Sequence, residues 1–534
     1  MPEQGALLEG AEQSELHGQD KKPLLRRVQT IKKTIRRHEL VNLGDHAATD
    51  MFKRAFGPEL ECLKRASASV ESEPETQSNL DRDDPNASPS HHLYGRDFVE
   101  VNRTLMGMLA LKWILADDYE AFTHGQPKAA KLSKESFEDL RKLFGGVLVD
   151  GNGEDIYCLL VATLVNDLGK DPEYYKKVEK YLEISDDETS DEDALLSERD
   201  RARPPPVNHD TIIYVAAEHD EVELVNGFYG EEKDDLIRGL QFGSGLNGAQ
   251  LQQAENVPGS LEGALIMRGH EKAFEKKFLE LILDVSGADG HVHGNGARSM
   301  IEPVFQGYMT TRNVLKDIVN GNRNLRQGYD TVLVNRGDML AKDGFQTLDV
   351  KIPEQRALLR LLTMCRTSTK VHAEKVRQAF YSLDRASREA LVDGLSVDGY
   401  NDGVAILPYY APGMFAEATK ATVNAETEIQ IAALSSIMKF LSQVYCGTKP
   451  VPGQPGTVIE FDLAFAQTVV KGKTVNGKEF KKTPAMLQSL DVLEDLEWES
   501  RVRLIRGQIK KAKKKWTPER TEKTATCPDQ CTAS

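Results

Sequence analysis

The chain has 534 residues, of which 40% are hydrophobic, 28% charged and 7% aromatic. That much apolar material excludes a wholly disordered chain and allows either several domains or one large one with insertions. The formal net charge of -15, from 83 acidic and 68 basic residues, excludes indiscriminate coating of nucleic acid, and no specific nucleic-acid partner is expected.

Residues 1–20 read as a loose acidic tail without the continuous apolar core of a secretory signal. Residues 21–37 (KKPLLRRVQTIKKTIRR) carry eight basic residues. They are expected as a flexible basic segment or a basic amphipathic helix facing anionic lipid or a partner. A helical lead-in follows over 38–65. Residues 66–91 are rich in Ser, Glu, Asp and Pro, the composition of a disordered linker. A second acidic insert, 183–208, holds SDDETSDED and ends at Pro204-Pro205-Pro206. Ser185, Thr189 and Ser190 there sit among acids of the kind acidophilic kinases favour.

Between these inserts the periodicity is helical. Val99–Leu115 has a buried face, Ser136–Leu148 forms a second helix, and Ile156–Leu168 is apolar nearly all round, as for a bundle centre. Further helices are expected over Asp210–Val225, Leu261–Val285, from Pro353, and across 370–393 and 415–445. Strand-like runs are Thr331–Val334, Val404–Leu407 and Thr457–Phe461. At the C-terminus, Trp498, Val502, Ile505, Ile509, Ala512 and Trp516 suggest a basic amphipathic helix over 489–516, with a flexible tail after it. That stripe would dock on the chain's own core or on a protein partner through 498–516.

Six cysteines without a CxxC pair fit a reducing compartment, and no run is long enough to span a membrane, so the expected location is cytoplasmic. The last four residues, Cys531-Thr532-Ala533-Ser534, fit the loose prenylation pattern, with Cys527 upstream as a palmitoyl acceptor. Eight basic residues and no acid between Arg501 and Lys515 would supply the second membrane signal that a single lipid needs. An anionic membrane surface is therefore one expected partner.

The densest chemistry lies in CLLVATLVNDLGKDP, residues 158–172. A buried helix ends in Asn166-Asp167 and turns at Gly169 beside Lys170. Farther on, Asn208-His209-Asp210 opens another helix. Together these stretches resemble the HD-domain superfamily of metal-dependent phosphohydrolases, with its di-iron, inositol-oxygenase-like relatives, over residues 92–300. There, apolar residues lead into His-Asp-(Ile/Leu)-Gly-Lys. The resemblance implies an HD-like helical bundle over 92–345 and metal ligation by Asp167 and His209. Asn166 stands where the superfamily has histidine, and it is a poor replacement for imidazole at zinc or iron. A degenerate site, a single magnesium or manganese ion, and a purely structural turn therefore remain open alternatives. His46 and His92 are both options for an earlier histidine.

Residues 283–296 (LDVSGADGHVHGNG) run from a helix into a glycine-rich loop. His291 and His293 fall on one side of an extended segment, and with Asp284 or Asp289 they form a candidate metal or phosphate site. Arg298 follows as an anion binder. Gly243–Gly248 matches GxGxxG in letters, but no βαβ pattern surrounds it. Cys158 and Cys365 lie on apolar helices and read as core residues.

The expected fold class is mainly α: an HD-like helical bundle with disordered inserts and minor β elements. Its C-terminal part, 346–488, belongs to the same domain or a second one. The expected function is a metal-dependent hydrolase of a phosphate ester, or an oxygenase. It would use a divalent ion (Mg, Mn, Fe or Zn) held by Asp167, His209, Asp284, Asp289, His291 and His293. Asp167 would act in catalysis, and Lys170 and Arg298 would hold a small anionic substrate. The alternative is a non-catalytic, degenerate HD-like protein acting as a peripheral membrane or protein-interaction module.

Overall fold

The computed structural model describes residues 27–69, 81, 82, 84, 86–148, 153–182, 208–290, 294–472, 477–488 and 502–506. The first helices are α1 (27–36), α2 (Asp45–Ser69), α3 (Pro89–Tyr94), α4 (Val99–Leu115), α5 (Tyr119–Phe122) and α6 (Lys134–Val147). Then come α7 (Glu154–Val165), α8 (Pro172–Leu182), α9 (His209–Glu218), α10 (Glu231–Gly245), α11 (Gly248–Gln252) and α12 (Glu271–Gly287). The chain continues through α13 (Glu302–Val319), α14 (Leu325–Lys342), α15 (Pro353–Met364), α16 (Lys370–Tyr381) and α17 (Arg385–Ser396). It ends in β1 (Asp402–Tyr409), α18 (Ala411–Ala421), α19 (Thr427–Val444), β2 (Gln454–Asp462), α20 (Ala464–Lys471) and β3 (Val502–Arg506).

These elements form two units. The first holds residues up to 203, 207–244 and 269–307; the second holds 204–206, 245–268 and everything from Tyr308 onward.

The first unit is built around α4, buried along nearly its whole length, against which α2, α7 and α12 pack. Small residues let α4 and α12 approach closely. A Cβ on Gly287 would lie 2.1 Å from the Arg103 carbonyl oxygen, so only glycine fits there. Helix α2 is kinked at Phe56, just before Pro58, whose ring and missing N–H interrupt the hydrogen-bond ladder. The stretch expected as linker is shorter than its composition suggests: 66–69 continue α2, and Pro89 starts α3 behind a Ser88 cap.

The basic segment is helical over 27–36 and is already partnered. Arg27 lies 2.7 Å from Glu59, and Lys32 and Arg36 lie 2.6 and 2.5 Å from Glu154. Ile31 and Ile35 are buried beneath it. Over these residues the segment is a helix, one of the two expected forms, and its basic side chains pair within the chain.

The second unit packs α15–α20 into one apolar core that includes Leu358, Leu362, Phe380, Phe415, Phe440 and Phe461. Its sheet has the order β1-β2-β3. β1 and β2 are parallel, with Val404 opposite Thr457 and Leu407 opposite Glu460, and α18 and α19 form the crossover that parallel strands require. β3 runs antiparallel to β2, with Phe461 opposite Val502 and Ile459 opposite Leu504.

Four expectations change. Thr331–Val334 is not a strand but lies inside α14, which starts at an Asn324–Gln327 capping box. Local helix initiation outweighs the β propensity of that run. Of the helix expected over 489–516, the described residues 502–506 are instead a strand, where a backbone paired with β2 satisfies a sheet edge that a helix could not, and 489–501 and 507–516 lie outside the described residues. The helix expected over Leu261–Val285 is divided into a 3-10 stretch, Pro258–Met267, and α12, with Gly269 at φ 77° between them. The one expected over Asp210–Val225 ends at Glu218, with Asp220 at φ 59°. Among the described residues no helix is long and apolar enough to cross a membrane.

Candidate functional site

Helix α7 is apolar on all sides, so burial fixes it in the first unit and carries its C-terminal end to a defined place. Asn166 caps that end, and Asp167 leads into the 3-10 turn Leu168–Lys170. A Cβ on Gly169 would lie 2.0 Å from the His209 carbonyl oxygen. The glycine therefore lets the first turn of α9 rest directly on this turn. Asn208 caps α9 by accepting from the Asp210 N–H at 3.2 Å.

This packing gathers charged groups from four elements. Lys170 Nζ lies 2.7 Å from both Asp167 Oδ1 and Glu100 Oε2 of α4. His209 Nε2 lies 3.9 Å from Asp167 Oδ1 and 3.5 Å from Asp210 Oδ1. Arg103, one turn beyond Glu100, lies 3.8 Å from Asp284 of α12. Two turns earlier on α12, Lys277 donates to Asn166 Oδ1 at 3.3 Å and sits 2.5 Å from Glu280 Oε2. The side chains of Glu100, Asp167, Lys277 and Glu280 are all under 10% exposed, whereas those of His209 and Asp284 keep 35% and 36%. The cluster is buried at its base and open to water on one side.

The fields follow from this arrangement. Burial opposes the charge of Asp167, but Lys170, Arg103 and His209 outweigh it and hold the carboxyl far below the usual range. Asp284 moves the other way: burial raises it, and the negative Asp167 raises it further. Two neighbouring carboxyls driven apart in this way form a like-charge pair. Burial pushes Glu280 up to about 7 against the pull of Lys277. Both Lys170 and Lys277 lie above their ordinary value, because Asp167 and Glu280 respectively outweigh desolvation.

Among the described residues the candidate donors are already engaged by ammonium groups. Asn166, where the resemblance implies imidazole, spends its carbonyl oxygen on the Lys277 ammonium, and Asp167 is held by the Lys170 ammonium. Among the described residues no group of three or more His, Cys, Asp or Glu side chains could hold a metal ion. Of the expected ligands, Asp167 meets His209 and, through its field, Asp284, and these three meet around lysines.

Residues 49–487 match the family described as Family of unknown function (DUF6829). The chain belongs to DUF6829. No curated protein and no solved structure matches this DUF6829 chain. The matched range takes in the whole network from Glu100 to Asp284.

Arg298 packs over Gly125 and donates to the Asn295 carbonyl at 3.3 Å, so it belongs to a loop contact and not to the Asp167 cluster. Asp289 is half-buried in the turn after α12. His291 and His293 lie outside the described residues, as do Cys527 and Cys531 and the acidic insert through Val207. His46 and His92 stack on each other with ring centroids 4.1 Å apart, and His92 Nε2 lies 3.4 Å from Asp50. Burial pushes the Cys158 thiol up to about 11, which suits a core residue and not a nucleophile.

Sequence reasoning missed Glu100, Arg103, Lys277 and Glu280. One signal was present: Glu100 and Lys112 are charges on the buried face of a mostly apolar helix, and buried charges in such a setting need partners.

Proposed function

We propose that this DUF6829 chain is a non-catalytic, degenerate HD-like helical protein whose first unit works as a binding module. The carrying observation is Lys170, 2.7 Å from both Asp167 and Glu100. A lysine ammonium supplies there the positive charge that a divalent ion would supply in a metal-dependent hydrolase. It can neutralise carboxylates, but it cannot lower the pKa of a bound water to make hydroxide. Lys277 on Asn166 completes the substitution. The partnered state of α1 supports the same reading: its basic residues engage Glu59 and Glu154 and are not spread for a phospholipid surface.

The test is an ester-hydrolysis assay on the full chain. The protein is incubated with p-nitrophenyl phosphate in Mg²⁺, Mn²⁺, Fe²⁺ or Zn²⁺, beside the Asp167→Asn variant. The expected result is no turnover above buffer for either protein. Turnover that disappears in Asp167→Asn would replace this reading with the hydrolase one.

A further inference from the structure

Helix α1 lies in a groove built by other elements of the first unit, and the two sides differ in chemistry. The helix is basic and aliphatic. Ile31 and Ile35, four residues apart and so on one face, are buried, and Arg27, Lys32 and Arg36 flank them. The groove is acidic and aromatic. Arg27 donates two hydrogen bonds to Glu59 of α2, at 2.7 and 2.9 Å, and lies 3.6 Å from Glu223 in the loop after α9. Lys32 Nζ lies 2.6 Å from Glu154 at the start of α7. It also stands over the rings of Tyr157 and Phe228, 4.5 and 5.8 Å from their centroids. Those rings stack 5.4 Å apart, so a carboxylate and two π faces hold one ammonium together. Ile35 fits closely: a Cβ on Gly153 would lie 2.5 Å from its Cγ2. Burial opposes the charge of Glu154, but Lys32 and Arg36 outweigh it and hold the carboxyl below its ordinary value.

Two features mark α1 as an exchangeable occupant of this groove. An isolated helix needs roughly 12–15 residues to hold in water, and α1 spans only 27–36, so the groove supplies its order. What fixes it is two isoleucines and ion pairs that water reaches, with the Arg36 side chain 55% exposed. The second feature is the extent of the family. The DUF6829 match begins at residue 49, so every groove residue falls inside it and α1 falls outside.

We infer that this groove is a docking site for a basic amphipathic helix of a partner protein, with α1 of the same chain covering it. Carboxylates beside aromatic rings select lysine and arginine, and the seats of Ile31 and Ile35 take two aliphatic side chains one turn apart. The partner helix would carry α1's order: arginine, an aliphatic-lysine pair four places on, and an aliphatic-arginine pair four places later. This goes beyond the binding-module reading. The groove lies at the opposite end of α7 from Asp167, and neither outcome of the ester-hydrolysis assay bears on it.

A fluorescein-labelled peptide of residues 21–38 is the probe, titrated against the full chain and two opened forms of it by fluorescence anisotropy. Ile31→Asp/Ile35→Asp removes the buried contacts of α1. Arg27→Glu/Lys32→Glu leaves the isoleucines and drives α1 off by repulsion from Glu59 and Glu154. The peptide should bind the opened forms about tenfold or more tightly than the unaltered chain, where α1 competes. Adding Glu154→Lys to an opened form should weaken it about tenfold, the order expected when a charged partner is lost. The same peptide with aspartate at both isoleucine positions should not bind. An opened form that keeps the circular dichroism of the unaltered chain but does not bind the peptide overturns the inference. So does binding that ignores Glu154→Lys. Loss of the fold in both opened forms would make α1 part of the core and overturns it as well. A dimer of the unaltered chain that the peptide splits, seen by light scattering, would assign the groove to a second copy and not to a partner protein.

Discussion

Lys170 holds two carboxylates from different elements, with only 17% of its own side chain exposed. Replacing a buried ion-pair member leaves its partners charged and unanswered, which costs about 3–5 kcal/mol. Lys170→Met should therefore destabilise the first unit by that order in urea denaturation, and adding Asp167→Asn should recover part of the loss. A loss under about 0.5 kcal/mol would place the pair in the class of surface salt bridges. A second buried carboxyl makes a pH prediction. Glu255, in the second unit, accepts from the Tyr410 N–H at 2.5 Å. Burial pushes it up to about 8, with Glu460 adding to the rise while the Tyr410 N–H and Arg366 oppose it. The folded chain thus keeps a proton that the unfolded chain releases above its ordinary value of 4.5. Stability from this group is present at low pH and is lost as pH rises from 4.5 toward 8. Glu255→Gln should leave the urea midpoint unchanged near pH 5 and raise stability near pH 9, on the order of a few kcal/mol. An equal effect at both pH values would contradict the assignment.

Elements place these residues through close backbone approaches. The turn after α7 meets α9 only because Gly169 has no side chain, with the His209 carbonyl 2.0 Å from where a Cβ would stand. Gly169→Ala must push α9 away and should cost about 1–3 kcal/mol in urea denaturation. Gly145→Ala, with nothing within 4 Å of its Cβ position, is the control expected to cost little or to stabilise α6. Much of this level was legible in the sequence. The α4 and α7 helices followed from their apolar periodicity, α15 from Pro353 at its first turn, and β1 and β2 from short β-branched runs. Thr331–Val334 and the C-terminal strand were not legible. The first depends on a cap seven residues upstream at Asn324, and the second on pairing with β2, which no local pattern encodes. Asp167 and His209 stood out through their motif. Glu100 and Arg103 on α4 and Lys277 and Glu280 on α12 did not, because their partners on the turn after α7 and across the two helices are assigned only by packing.

At the scale of the whole molecule, the chain leaves the first unit after 244, returns at 269 and leaves again after 307. The returning segment contains α12, which packs on α4 and α7 and carries Lys277, Glu280 and Asp284. A chain cut after Arg268 lacks that helix and exposes the faces it covers. It should show no cooperative thermal transition by circular dichroism; a sharp transition would mean that α12 is dispensable to the first unit's core. The bulk charge of -15 likewise conceals local structure. The basic α1 is neutralised by Glu59 and Glu154, and the central carboxylates by Lys170, Arg103 and Lys277. The central claim is that lysines occupy the place of a metal centre in this network. Native mass spectrometry of the full chain titrated with Mn²⁺ or Fe²⁺ tests it most directly. The account predicts no stoichiometric uptake and identical spectra for the unaltered chain and Asp167→Asn. One bound ion per chain, lost in Asp167→Asn, would contradict it.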